Sequence, residues 1–214
     1  SVKINVKDLF VYRTIANLYD NGLIKKFKED KAYNRYEQDL SFDSIASKLK
    51  PSNLPQPNEI ESIYLANSLQ QGFIYHALKQ GKLDDAYLVQ VIWEYNRVID
   101  VEALRQAWNY AQKRYSALRL RFDWEEELIQ IIDKKGVVEW RFIDISDQLD
   151  SGIREQRFKA IQKQDRLEPY NLQKSGLFRI YIIKQRDDYY NCIFSHHHAI
   201  LDGWSIPVLI DYVH

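Results

Sequence analysis

The chain has 214 residues and is 45% hydrophobic, which is ample for a buried core in one or two domains. Its 30 basic and 30 acidic side chains cancel, so its charge favours neither a nucleic acid nor an anionic membrane as partner. The single cysteine, Cys192, cannot form an internal disulfide, and the sequence shows no signal peptide and no apolar run of membrane-spanning length. We therefore expect a cytoplasmic protein with no nucleic-acid or membrane partner.

Two segments precede the main predicted domain. Residues 1–22 form a short amphipathic stretch, and residues 23–58 shift to Lys, Asp, Asn, Tyr and Ser. The second segment ends with three prolines in residues 51–57, which stop helices and favour an extended tether. The sequence therefore predicts a linker over residues 23–58 and a main domain over residues 59–214.

Hydrophobic periodicity predicts interleaved helices and strands in the main domain. Apolar residues at steps of three and four predict helices, the second of them capped by Asp100, over residues 68–78, 101–118 and 153–167. Alternating and β-branched runs predict strands, the last two forming a hairpin, over residues 87–98, 120–124, 128–132, 137–143, 177–184 and 189–195. Cys192 alternates into the last of these strands, where we expect a buried, unreactive thiol. This order predicts the α/β class, with helices covering a mixed sheet in a sandwich.

Three of the five histidines, His196, His197 and His198, follow one another at the end of the last predicted strand. Histidine is the side chain whose ordinary pKa lets it take or give a proton near neutral pH. Because neighbouring side chains of an extended segment point to opposite faces, we expect His196 and His198 on one face and His197 on the other.

A polar turn separates these histidines from a further apolar segment that we expect to be helical. Gly203 would let the backbone bend sharply after Asp202, and Ser205 with Pro207 is typical of a helix N-terminus. The sequence therefore predicts strand, turn and helix, with the imidazoles presented where the strand ends.

The segment from His197 to Gly203 resembles the HHxxxDG motif of condensation domains from nonribosomal peptide synthetases, which are chloramphenicol-acetyltransferase-like acyltransferases. Asn67–His76 is similar to that family's first motif in its QxGxxxH form. Arg114–Phe122 resembles the RHxxLRxxF segment, with Tyr115 in place of the usual histidine. The three segments occur in the order that the family has, which makes the resemblance specific.

Two other stretches extend the resemblance. Tyr170–Leu172 followed by Gly176–Arg179 is similar to the FDLxxxPLxR pattern before the histidine strand, although Gly176 stands where proline is usual. Residues 1–22 resemble the last helices of a peptidyl carrier domain.

The resemblance implies a two-lobed fold, each lobe a chloramphenicol-acetyltransferase-like sandwich with a mixed, mostly antiparallel sheet. It implies peptide-bond formation between aminoacyl or peptidyl thioesters that donor and acceptor carrier domains deliver on phosphopantetheine, with no cofactor bound by the chain itself. Because the chain stops at His214, soon after the motif, we expect only the N-terminal lobe here. That lobe would need the C-terminal lobe as a partner and would have little activity alone.

Within the motif, the resemblance implies that His198 acts on the acceptor amine, either as a general base or as a group that positions it. His197 is expected to pack or to hydrogen-bond, and the N–H of Gly203 is a candidate donor to the substrate.

Asp202 has two interpretations. The family pattern implies an ion pair with Arg119, which would fix the histidine loop against the preceding helix, with Arg114 as a further supporting residue. The alternative is that Asp202 orients His198 directly across the turn.

Other functions are compatible with the motifs. An epimerization domain would use the histidine to manage a proton on an α-carbon, a non-catalytic module would recruit a partner protein, and a stand-alone acyltransferase would use coenzyme A. His196 and His198 could share a face as metal ligands, but no spaced Cys, Asp or Glu set completes a tetrahedral site, so we expect no metal.

Overall fold

The computed structural model describes residues 57–80, 86–124 and 127–214. The predicted carrier remnant over residues 1–22 and the predicted linker over residues 23–58, except for its last two residues, lie outside the described residues.

Helices are interleaved with single strands and groups of strands along the described chain, and those that the sequence predicts occur in the predicted order. They are β1 Ile60–Leu65, α1 Ser68–Gln80, β2 Leu88–Tyr95, α2 Val101–Arg114, β3 Leu120–Asp123, β4 Ile129–Asp133, β5 Glu139–Asp144, α3 Ser151–Arg166, β6 Phe178–Arg186, β7 Tyr189–His197 and α4 Ser205–Val213. Strand β1 is the one element of this series that the sequence does not predict. None of the four helices is both long and apolar enough to cross a bilayer.

The strands form two sheets. β1, β4 and β3 make an antiparallel sheet in that order, and β2, β7, β6 and β5 make a second sheet in which only the β5–β6 pair is parallel. The predicted α/β sandwich, with a mostly antiparallel mixed sheet and covering helices, is confirmed. The division into two sheets is not predicted by the sequence, because periodicity marks a strand but not its pairing partner.

Helix α2 begins as predicted but ends earlier. The Asp100 side chain accepts hydrogen bonds from the backbone N–H groups of Glu102 and Ala103, as an N-cap does. The prediction of a helix to residue 118 is wrong, because Tyr115 is extended, with φ −99° and ψ 107°, and Ser116–Arg119 forms a 3-10 turn instead. Apolar steps of three and four residues fit both kinds of helix, so the spacing alone does not reveal the break.

Strand β7 is an inner strand, between β2 and β6, and both of its faces are covered. On one face Phe194 packs against Trp108 of α2, with ring centroids 5.1 Å apart. On the other face Ile193 packs in a cluster with Phe158 of α3. Cys192 is fully buried, and burial raises the pKa of its thiol, which confirms the prediction of a buried, unreactive cysteine. The histidines therefore extend from a strand that packing holds on both faces.

Gly176 precedes β6 with a φ of +89°. Proline fixes φ near −65°, so it cannot adopt this backbone conformation. Gly176 therefore permits a backbone conformation that the proline of the family pattern would exclude.

Candidate active site

The three histidines occupy three different environments. The ring of His196 stacks on Phe194 in the core at a centroid distance of 4.8 Å, and its Nδ1 has no hydrogen-bond partner among the described residues. Burial, followed by the charges of the two neighbouring histidines, lowers the pKa of His196 to about 3. His196 is therefore a neutral core residue at physiological pH.

His198 is half-buried and lies just beyond β7. Its backbone N–H donates to the carbonyl of Tyr87 over 2.8 Å, and its ring Nδ1 lies 2.8 Å from the carbonyl oxygen of Leu201. Because a carbonyl only accepts hydrogen bonds, Nδ1 must carry the proton, and Nε2 of the neutral ring keeps its lone pair. The ring is stacked on Phe73 of α1, with centroids 5.2 Å apart and planes 17° apart. The geometry therefore presents a fixed imidazole whose Nε2 can accept a proton.

His197 points to the opposite face and holds the backbone next to His198. It is 8% exposed, and its Nδ1 accepts a hydrogen bond from the N–H of Ala199 over 3.2 Å. Burial, with a smaller contribution from the charge of His198, lowers the pKa of His197 to about 4. A neutral ring is what this bond requires, because a protonated Nδ1 could not accept it. His197 thus hydrogen-bonds as predicted.

Gln70 in the first motif connects α1 to the histidine loop. Its side-chain oxygen accepts from the N–H of Asn67 and the Asn67 side chain accepts from the N–H of Gln70, both over 2.9 Å, which forms a capping box. Its Nε2 donates to the carbonyl of Ala199 over 3.3 Å. Ala199 is therefore held at its N–H by His197 and at its carbonyl by Gln70.

Sequence reasoning missed the three side chains that surround the loop, namely those of Gln70, Phe73 and Tyr87. The QxGxxxH pattern marked the segment that contains the first two but not the direction of their side chains. Tyr87 also contacts Phe73, with ring centroids 4.5 Å apart, and lies edge-on to His76 at 5.0 Å. The first motif and the histidine motif thus meet around one aromatic cluster.

Asp202 does not orient His198, because the His198 Nδ1 proton is directed at the carbonyl of Leu201. The carboxylate is exposed, and its Oδ1 accepts from the N–H and the hydroxyl of Ser205 over 2.8 and 2.6 Å. These hydrogen bonds hold the pKa of Asp202 below its usual value. Ser205 is the first residue of α4, so the helix begins where the sequence predicts, and the carboxylate that stabilises this start is that of Asp202.

The predicted ion pair between Asp202 and Arg119 is also wrong. Arg119 is 5% exposed, its Nη1 lies 2.6 Å from Oε2 of Glu61, and its Nε donates to the carbonyl of Gln112 over 3.2 Å. The physical reason is that each charge has a nearer partner: Glu61 lies on β1 in the same sheet as β3, and Asp202 is satisfied locally. Arg119 therefore links the 3-10 turn to β1.

Two further predicted residues lie near α4. Arg114 is exposed, and its guanidinium lies over the rings of Tyr212 and Tyr115 at 5.4 and 5.8 Å, so it connects the ends of α2 and α4. Gly203 is exposed, its φ lies outside the left-handed region, and a Cβ there would meet open space. The chain turns here as expected, with the N–H of Ser205 donating to the carbonyl of Asp202 over 3.2 Å, although the turn does not need the freedom of a glycine. The role of the Gly203 N–H as a donor to substrate stays a prediction.

A groove of about 320 Å³ separates the 3-10 turn from α4. Its lining is mostly apolar and includes Tyr115, Leu118, Leu201, Trp204 and Val208. Within the described ranges, no group of three or more His, Cys, Asp and Glu side chains could hold a metal ion.

Comparison with known proteins identifies the family. Residues 60–214 match the Condensation domain family. The chain is 38% identical over 215 residues to N-(5-amino-5-carboxypentanoyl)-L-cysteinyl-D-valine synthase of Penicillium rubens and 40% identical to that of Amycolatopsis lactamdurans, covering all of this chain and 5% of each relative. It is 30% identical over 154 residues to gramicidin S synthase 2 of Brevibacillus brevis, covering 71% of this chain and 3% of the relative. The chain thus spans a small part of these curated relatives.

Solved structures share the fold. The starter condensation domain of rhizomide synthetase superposes with a TM-score of 0.64 at 21% identity, covering 72% of this chain and 38% of that chain. A four-domain nonribosomal peptide synthetase bound to AMP and glycine superposes with a TM-score of 0.63 at 23% identity, covering 76% of this chain and 12% of that chain. Because the family match runs through the whole described fold, from β1 to α4, the chain belongs to the condensation domain family of nonribosomal peptide synthetases.

Proposed function

We propose that this chain supplies the histidine half of a site that joins two carrier-bound substrates by a peptide bond. The acceptor amine would attack the thioester carbonyl of the donor, the C–N bond would form, and the C–S bond would break to release the donor thiol. The nitrogen must lose one proton along this path. The observation that carries the proposal is the half-buried His198 ring, whose Nδ1 bond to the Leu201 carbonyl leaves the Nε2 lone pair to receive that proton or to align the amine.

Either role of His198 would be large enough to matter. A general base contributes on the order of 10²–10⁴ in rate, and alignment of two tethered reactants contributes larger factors. Three contacts fix the residue for both roles: the Leu201 carbonyl, the Tyr87 carbonyl and the Phe73 ring. A fixed ring avoids reorganisation at the moment of reaction.

The partners in this proposal are donor and acceptor peptidyl carrier domains, which bring the substrates on phosphopantetheine. The C-terminal lobe of the condensation fold would cover the open side of the half-buried His198. Support comes from the starter condensation domain of rhizomide synthetase, of which this chain covers 38%. We expect little activity from the 214 residues alone.

The test is a single-turnover assay in the full-length protein, with loaded donor and acceptor carriers and the amide product measured by mass spectrometry. We expect His198→Ala to lower the rate by on the order of 10²–10⁴ without a change in thermal unfolding. The matched control is His214→Ala, which removes an exposed histidine at the end of α4 and should leave the rate unchanged.

Three results would contradict the proposal. A His198→Ala variant that forms product at the wild-type rate would show that this histidine takes no part in the chemistry. Solvent deuterium entering the α-carbon of a carrier-bound aminoacyl group without amide formation would point to epimerization instead. Loss of binding to a partner protein in His198→Ala, with no product from the wild type, would indicate a recruiting module.

A further inference from the structure

Tyr170 contacts β7 on the face opposite His198. It lies between α3 and β6, and its hydroxyl donates to Oγ of Ser195 over 3.1 Å. Its ring meets His197 edge-on, with centroids 6.5 Å apart and planes at 86°. Burial raises the pKa of Tyr170, so the hydroxyl stays protonated and able to donate. One side chain thus touches both residues of β7 that share this face next to the loop.

A buried ion pair holds Tyr170 from the other side. The guanidinium of Arg179 lies over the Tyr170 ring at 4.1 Å, and Arg179 Nε is 2.8 Å from Oδ1 of Asp165. Arg179 and Asp165 are 1% and 0% exposed. Asp165 also accepts from the hydroxyl of Tyr181 over 2.9 Å and from Gln90 over 2.6 Å. A buried charge pair with such further hydrogen bonds resists rearrangement, because separating the partners leaves an uncompensated charge.

His197 continues this chain of contacts to the loop. Its Nδ1 must face the N–H of Ala199 to accept the 3.2 Å hydrogen bond, so the orientation of the ring fixes the peptide that follows His198. Ala199 is 5% exposed, so rotation of the His197 ring would leave the N–H of Ala199 buried without the Nδ1 acceptor. The contact with Tyr170 restricts this rotation.

We propose that Tyr170 is a positioning residue that keeps His198 in its reactive orientation from the opposite face of the sheet, acting through His197. This inference rests on the proposed role of His198. The Arg179–Asp165 pair supports Tyr170, and Tyr170 supports His197. The ring of His198 meets Phe73 and the Leu201 carbonyl rather than Tyr170, so the effect of Tyr170 on the reaction is indirect.

The experiment compares Tyr170→Leu with a matched control, Tyr190→Leu, in the full-length protein. Tyr190 is a buried tyrosine at the start of β7, and its hydroxyl donates to the carbonyl of Asp187 over 3.2 Å, far along the strand from the histidines. Two readouts are measured. One is kcat and KM for amide formation, and the other is carbethoxylation of each histidine by diethyl pyrocarbonate, located by mass spectrometry.

We expect Tyr170→Leu to lower kcat by about tenfold or more with KM little changed, because a misplaced reactive group loses rate rather than binding. His197 should be protected from carbethoxylation in the wild type and react in Tyr170→Leu, because the truncation uncovers its ring. Tyr190→Leu should lower stability while leaving both kcat and the protection of His197 unchanged.

A milder pair keeps the inference testable if Tyr170→Leu does not fold. Tyr170→Phe and Ser195→Ala each remove one partner of the same hydrogen bond, so each should lower kcat by about threefold, and the double variant should be no worse than either. Three results would each overturn the inference. The first is that the losses of kcat in Tyr170→Phe and Ser195→Ala add up in the double variant, and the second is that Tyr170→Leu keeps the wild-type kcat. The third is that Tyr170→Leu is slow while its His197 stays protected from carbethoxylation. Absence of amide formation in the wild type would refute the proposed function instead, and the protection of His197 would still test the contact.

Discussion

The two halves of the histidine motif are built in different ways. The first half, His197–Leu201, is held by distant elements: the N–H of His197 donates to Leu177, the N–H of His198 donates to Tyr87, and Gln70 reaches the carbonyl of Ala199. The second half, Asp202–Ser205, makes local hydrogen bonds between its own first and last residues. The comparison teaches that the reactive ring is held by contacts remote in sequence together with the local bond from His198 Nδ1 to Leu201, whereas the carboxylate of the same motif only stabilises the start of a helix.

Acid should produce the largest effect, through two buried histidines: His197 of the first half and His196 next to it. The folded-state pKa values of His197 and His196 are about 4 and about 3, below the 6.5 of an unperturbed histidine. Below pH 6.5 the unfolded chain therefore binds more protons than the folded chain. The free energy of unfolding should have its highest value above pH 6.5 and should fall as the pH is lowered towards 4. One pKa unit corresponds to about 1.4 kcal/mol, so we expect a loss of several kcal/mol, measured by urea unfolding at pH 7 and pH 4.5.

The variant His196→Phe separates this effect from general acid unfolding. It removes a buried titrating ring whose Nδ1 has no partner among the described residues, and it should flatten the dependence on pH and leave the protein at least as stable at pH 7. If the free energy of unfolding of His196→Phe falls with pH as steeply as that of the wild type, other groups cause the loss of stability in acid.

Gln70→Ala should produce the next largest effect, because it removes the acceptor for the N–H of Asn67, which is one of the two bonds of the capping box, and the donor to Ala199. One lost hydrogen bond costs about 1 kcal/mol and an unsatisfied buried carbonyl costs about 1–3 kcal/mol, so we expect a decrease of about 2 kcal/mol or more in the free energy of unfolding. The matched control is Gln71→Ala on the same helix, where an exposed glutamine donates to the carbonyl of Ala66. An equal loss in the two variants would contradict a special role for Gln70.

Changes in the second half should have the smallest effects. Asp202→Ala should lower stability less than Gln70→Ala, and Asp202→Asn should restore most of the loss, because the amide oxygen can also accept from Ser205. The double variant with Arg119→Ala should show additive losses in thermal unfolding, since Arg119 is paired with Glu61. If the losses of the two single variants are strongly non-additive, Asp202 and Arg119 interact, which would support the ion pair that the family pattern implies.

Much of the fold and part of the site follow from the sequence. The apolar spacing predicts every described helix and strand after β1 in order, and Asp100 is a recognisable cap because its hydrogen bonds reach only two and three residues away. The early end of α2 at Tyr115 is missed because the same spacing fits a helix and a 3-10 turn. The pairing of Arg119 is predicted wrongly for another reason: Glu61 lies 58 residues away, and periodicity carries no information about contacts at that distance.

By itself the sequence determined the family, the order of elements and the alternation that sends His197 and His198 to opposite faces of β7, because a strand of period two leaves no other choice. The tertiary structure alone decided which side chains hold the loop around His198. Gln70 and Ala199 are 129 residues apart, and Tyr170 reaches Ser195 from 25 residues away. Such contacts exist only after the sheet and helices have packed, since packing, and not local propensity, brings these groups within hydrogen-bonding distance.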